Sequence, residues 1–295
     1  MNYNSHSTED VEQQDVSPEK EKSFFGIIVH SFFIIPFLIA VFCLLLFAAV
    51  SLLTNEKQTV YDYINNIKTG GSTKRWQSAF ELSKYLANPG MIPEDERFNN
   101  EMINVFESSK GDDARVRQYL ALAMGRTQRA EFLPVLLTAL DSSDDDTRYA
   151  IIFSLGMLRN AGAVSALVPY LNDNSARIRS VTAVALGTIG DKKAKDFLKN
   201  ALNDSEPNVQ WGSAISLALM KDAAGAEILA KLLDRSYLEK FPEVEPEEAN
   251  QLILATIDAS SNIQDREIQA AIQQLSTSDK NMKVRAAALE YLKQN

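Results

Sequence analysis

Three hydrophobic patterns follow one another along the chain. From residue 24 to residue 53, FFGIIVHSFFIIPFLIAVFCLLLFAAVSLL runs for thirty residues without a charged side chain. That exceeds the roughly 20 apolar residues with which a helix crosses a hydrocarbon core of about 30 Å. The residues before it are acidic, whereas a cleaved signal peptide has a basic start and an apolar region of only about 7–15 residues. The stretch is therefore expected to be a single uncleaved transmembrane helix. Pro36 is expected to kink it or to mark its entry into the membrane, because proline removes one helical hydrogen bond. His30 is expected near the headgroups, and Cys43 as a small apolar filler.

The second pattern is short. Within 54–73, Val60, Tyr63, Ile64 and Ile67 fall on one helical face before Thr69-Gly70-Gly71-Ser72 interrupts it. Such a stalk suits two places, the membrane surface or the end of a helical stack.

The third pattern repeats. The segments DDARVRQYLALAMG, DDDTRYAIIFSLGM, NSARIRSVTAVALG and SEPNVQWGSAISLALM align so that Val116, Thr147, Ile178 and Val209 stand 31 residues apart. Gly125, Gly156, Gly187 and Ala218 keep the same interval, as do Leu140, Leu171, Leu202 and Leu233. A fixed period of this size means an array of stacked units. Each unit reads as two helices with 3.6-residue periodicity, and no run alternates with period two, so strands are not expected. One helix pair cannot bury both of its apolar faces, but a stack of pairs shares one continuous core. The predicted fold is all-α: a transmembrane helix followed by a superhelical solenoid over 74–295, regular over about 112–234.

In-register residues suggest roles. Glycine within a helix costs about 1 kcal/mol relative to alanine, so Gly125, Gly156 and Gly187 predict close helix contacts. Arg117, Arg148 and Arg179 read either as an anion-binding ladder or as structural pairs. Asp113 and Asp144, four residues before two of them, favour a structural ladder between units.

Charge and composition narrow the chemistry. The net charge is −9, and residues 1–23, expected to be disordered, hold six acids against two bases. No basic stripe is present, so nucleic acid is not an expected partner. Residues 54–295 contain neither Cys nor His, which excludes disulfides, Cys/His zinc sites and His-dependent triads there. No metal, cofactor or catalytic residue is expected. Orientation rests on Lys20 and Lys22 before the span against Lys57 and Lys68 after it. The short tail and the two abutting lysines tilt the balance towards an outward-facing domain.

The unit DNSARIRSVTAVALG followed by FLKNALND resembles the HEAT-like repeats of bacterial proteins often labelled phycobilisome-lyase HEAT-like. With KRWQSAFELS after the span, the chain also looks like bacterial membrane-anchored HEAT proteins. The resemblance implies a bacterial inner-membrane location and a curved surface that holds a protein partner. On that basis the second helices are expected to line the concave face, where Glu131, Lys195, Lys199, Glu227 and Lys231 form a candidate patch. The acidic insertion at 236–249 favours a partner with a basic segment, or serves as a spacer for the last helices. A structural subunit of a membrane complex is the alternative function. Bilin-lyase activity is implied only by the repeat's name.

Overall fold

The computed structural model describes residues 30–54, 58–141 and 144–294. The tail at 1–23 and the first residues of the apolar stretch lie outside them. Two units are present, divided between Lys57 and Gln58.

The first unit is a π-helical turn, His30–Ile34, that runs into helix α1, Ile35–Thr54. Pro36 is the second residue of α1, directly after the π-helical turn, and has no N–H to give to a helical bond. Residues Phe32–Val50 have a mean hydropathy of 3.0 and none of them is buried. By length and composition this helix can cross a membrane.

The second unit stacks helices in two layers. One layer contains α2 (Val60–Thr69), α4 (Glu96–Ser108), α6 (Leu133–Leu140), the single turn α8 (Val164–Leu167), α10 (Lys195–Ala201), α12 (Ala226–Leu232) and α15 (Arg266–Ser278). The other contains α3 (Ser72–Tyr85), α5 (Ala114–Thr127), α7 (Asp145–Met157), α9 (Ala176–Ile189), α11 (Pro207–Leu219), α14 (Pro246–Ser260) and α16 (Met282–Gln294). A one-turn helix, α13 (Arg235–Leu238), sits between α12 and α14. There is no strand among the described residues.

Helices α5, α7, α9 and α11 begin 31 residues apart. So do the 3-10 turns Ala130–Phe132, Ala161–Ala163, Lys192–Ala194 and Ala223–Gly225 that lead into the second helices. Between the two stands a residue with positive φ: Gln128 (56°), Arg159 (50°), Gly190 (74°) and Lys221 (58°). Only glycine adopts this left-handed cap without strain, and other residues give up about 1 kcal/mol or more. Arg159→Gly and Lys221→Gly are therefore expected to raise stability by up to about 1 kcal/mol each, less what glycine's freer unfolded chain takes back. Thermal melts of the two variants against the parent check this.

The stalk helix α2 takes the second of its two expected places. Val60, Ile64 and Ile67 are buried, and α2 packs on α3 and α4. Tyr61 donates to Asp95 at 2.6 Å, and Lys68 pairs with Glu101. The compact unit thus begins at Gln58 and includes the segment set apart as a stalk. The reason is burial: the apolar stripe of α2 covers the open end of the stack.

Hydrophobic packing falls into two clusters that meet on α11. Val209 and Leu217 belong to the cluster that starts at Val60, while Trp211, Ala214 and Ala218 belong to the one that ends at Tyr291. The dividing line coincides with the insertion. Tyr237 and Phe241 stack edge-on against Trp211, with ring centroids 6.3 and 5.0 Å away. This aromatic wedge leaves Trp211 only 1% exposed, and α14 packs less closely on α11 than α11 does on α9.

Candidate functional site: a trough across four helices

Close packing in the layer of α5, α7, α9 and α11 comes from its small residues. A Cβ on Gly125 would lie 2.8 Å from the Ser154 Cα, one on Gly156 2.9 Å from the Ala185 Cα, and one on Gly187 2.7 Å from the Ser216 Cα. No real Cβ sits so near another backbone, so each glycine lets two helices touch main chain to main chain. The fourth position of the series is Ala218, and it faces the loosened side of α11. The second helices make no comparable approach to one another. In a curved stack the layer with the tighter spacing is the inner one.

On that inner layer lies a trough of about 680 Å³, lined by α7, α9, α11 and α14. Its floor is apolar and in register: Phe153, Val184 and Ile215 stand 31 residues apart, and Leu219 follows on the next turn of α11. Phe153 and Val184 are 39% exposed and Leu219 40%. The same series reaches back to Leu122 on α5, which is half-buried and lies outside the trough. One turn further along α5, where α11 has Leu219, stands Arg126, held by the Ser83 carbonyl. The trough thus begins at α7 and belongs to the later units. Along the edge where these helices begin stand Arg177, Glu206, Asn208 and Glu248. Arg177 pairs with Asp146 and lies over the Tyr149 ring at 4.3 Å. Neither Glu206 nor Glu248 has an ion-pair partner among the described residues.

None of the patch residues Glu131, Lys195, Lys199, Glu227 and Lys231 lines this trough. They belong to the layer of second helices, where four of the five are paired. Lys195 and Lys199 reach Asp222 at 3.6 and 3.1 Å, and Lys231 reaches Glu227 at 2.7 Å. Glu131 is exposed in the 3-10 turn that leads into α6. Sequence reasoning put the binding face on that layer by resemblance; the small-residue contacts and the trough lie in the opposite layer. The signal for the trough was present: apolar residues 31 apart on the face of the first helices that points away from the second ones.

The arginine ladder has different rungs from those expected. Asp113 caps α5 and pairs with Arg115 at 2.6 Å, not with Arg117. Arg117 instead lies over the Phe106 ring and donates to the Phe106 carbonyl at 3.0 Å. Asp144 caps α7 by accepting from the Thr147 N–H at 3.0 Å, and Arg148 pairs with Asp145. A carboxylate just before a helix is drawn to its free N–H groups, which explains both departures. Arg179 does join two units, forming a bidentate pair with Asp204 at 2.8 Å. Hydrogen bonding from Arg179 is the main cause that holds the Asp204 carboxyl below its usual range. Other links between units are Asp146 with Arg177 and Asp141 with Tyr170, whose hydroxyl burial and this contact push up to about 12. Among the described residues, no three His, Cys, Asp or Glu side chains are placed to hold a metal ion.

A two-layered helical stack of this kind, with an open trough on one layer, is a repeat solenoid in form. The sequence profile of HEAT repeats matches residues 105–187 and 164–239, so this part of the chain consists of HEAT repeats. Among solved structures, a chain from the complex of CpcE and CpcF of phycocyanin lyase from Nostoc sp. PCC7120 is 20% identical, with a TM-score of 0.53. The match covers 81% of this chain and 96% of that one, and at this identity it speaks for the fold alone. An archaeal HEAT-like repeats protein from Thermococcus onnurineus NA1 is 14% identical over 81% of this chain and 98% of its own, with a TM-score of 0.44. No curated protein matches the sequence.

Proposed function

We propose that the protein is a membrane-anchored scaffold that holds a protein partner in the trough formed by α7, α9, α11 and α14. The observation that carries this reading is the apolar floor. Monomeric proteins seldom leave large side chains in register on a concave surface unless something covers them. Repeat solenoids use their inner faces for such contacts. Anchoring is the reading given to the apolar helix Phe32–Val50, and the lysines before it favour the solenoid on the outer side of a bacterial inner membrane. Lyase chemistry has no support in the residues of the trough, which include no His and no Cys.

A photo-crosslinking amino acid placed at Val184 or Leu219 of the full chain in intact cells tests the scaffold. The expected result is one discrete product shared by both positions and absent from a probe at Phe197, an exposed residue of the other layer. Crosslinks only from probes in α1, to integral proteins, would favour a structural subunit of a membrane complex instead. No product from either trough position would overturn the assignment.

A further inference from the structure

The chemistry of the trough restricts what kind of segment it takes. We infer that its occupant is a basic amphipathic helix of the partner protein, with apolar residues recurring every seven positions and Lys or Arg along one flank. This rests on the scaffold reading above and names the partner's recognition element.

Spacing carries the first half. Phe153, Val184 and Ile215 come from three successive helices, and packed helices stand about 8–10 Å apart. Residues seven apart in an α-helix are separated by about 10.5 Å along its axis and share one face. A helix laid across α7, α9 and α11 would therefore bring one apolar residue within side-chain reach of each floor position.

Charge carries the second half. Glu206 and Glu248 are exposed on one edge with no ion pair among the described residues, although Glu206 lies in the field of Arg179, whereas Arg177 on the same edge pairs with Asp146. Covering these two carboxylates with apolar or acidic groups would desolvate or repel them, while Lys or Arg would pair with them. That disfavours the chain's own tail, where six acids face two bases, and a second copy, whose net charge is −9. The opposite edge, with Leu219 and Thr188, presents no charge.

The probe is a labelled synthetic helix of about three heptads, with Leu at seven-residue intervals and Lys along one flank. A matched peptide carries Glu in place of each Lys. Both are titrated against the full chain in nanodiscs of zwitterionic lipid, with empty discs as the blank. The Lys peptide is expected to bind at least about tenfold more tightly than the Glu peptide, and Val184→Asp to weaken it by a similar factor. Combined Glu206→Lys and Glu248→Lys should invert the preference. A gain of Glu-peptide binding cannot arise from misfolding. Equal binding of both peptides, no binding of either, or indifference to Val184→Asp would overturn the inference. If probes at Val184 still capture a partner in cells, the scaffold stands and only the partner's chemistry falls.

Discussion

Replacing Gly187 by leucine is expected to lower the melting temperature by several degrees and to broaden the transition. The Ser216 Cα lies 2.7 Å from where the new Cβ would stand, and it is main chain, which cannot rotate out of the way. Helix α11 must move off α9, and the bond from the Ser216 hydroxyl to the Ala183 carbonyl, 2.9 Å, is lost with it. Overpacking of this kind costs about 1–3 kcal/mol and at times more. Each kcal/mol is worth about 2–4 °C in a chain of this size. Broadening follows because a linear stack holds its cooperativity through contacts between neighbours. Gly212→Ala is the matched control. The nearest atom to its Cβ would be the Val184 Cγ2, at 3.3 Å, a side-chain atom that can give way. Alanine's better helix propensity, worth about 1 kcal/mol, offsets that adjustment. If Gly187→Leu melts as the parent does, the two helices are not in main-chain contact.

The period, the two-helix unit and the positions of the glycines could all be read from the sequence, because each depends on residues close together in one repeat. What could not be read depends on offsets between repeats. Arg179 meets Asp204, 25 residues on, and Arg177 meets Asp146, 31 residues back. Nothing local distinguishes those acids from Asp113 and Asp144, which the helix ends claim as caps. The trough was not read from the sequence for a related reason. Both helices of a repeat are apolar over wide arcs, so hydrophobicity does not say which layer is closer-packed. The glycines did carry that information, since only the layer containing them can tighten. The wedge of Trp211, Tyr237 and Phe241 was hidden because an acidic, proline-containing insertion reads as a loop, although its aromatic residues pack inward.

Asp279→Ala is expected to be among the most damaging single changes outside the glycine contacts. Asp279 follows α15, and its side chain is 1% exposed; Arg235, beside α12, is 17% exposed. The two form a bidentate pair at 2.6 and 2.8 Å, with Asn250 held to the same guanidinium at 2.8 Å. Removing the acid leaves a largely buried cation without its partner, a loss of about 3–5 kcal/mol in comparable pairs. Changing both residues to leucine should recover much of it, because the desolvation cost disappears along with the pair.

Acid offers an independent check. Burial alone would raise the Asp279 carboxyl, but Arg235 and the Asn281 N–H outweigh it and hold it below its ordinary value of 3.8. A depressed carboxyl adds stability above the unfolded pKa and loses it as pH falls towards the folded one. Asp204 behaves alike, held low by Arg179. Melting temperature should therefore vary little from these two groups between pH 7 and about pH 5, then fall below about pH 4 as both protonate. In Asp279→Asn the fall should be shallower, since one of the two titrating groups is gone. An unchanged acid slope in that variant would mean that the Arg235–Asp279 pair does not hold α15 to the stack electrostatically.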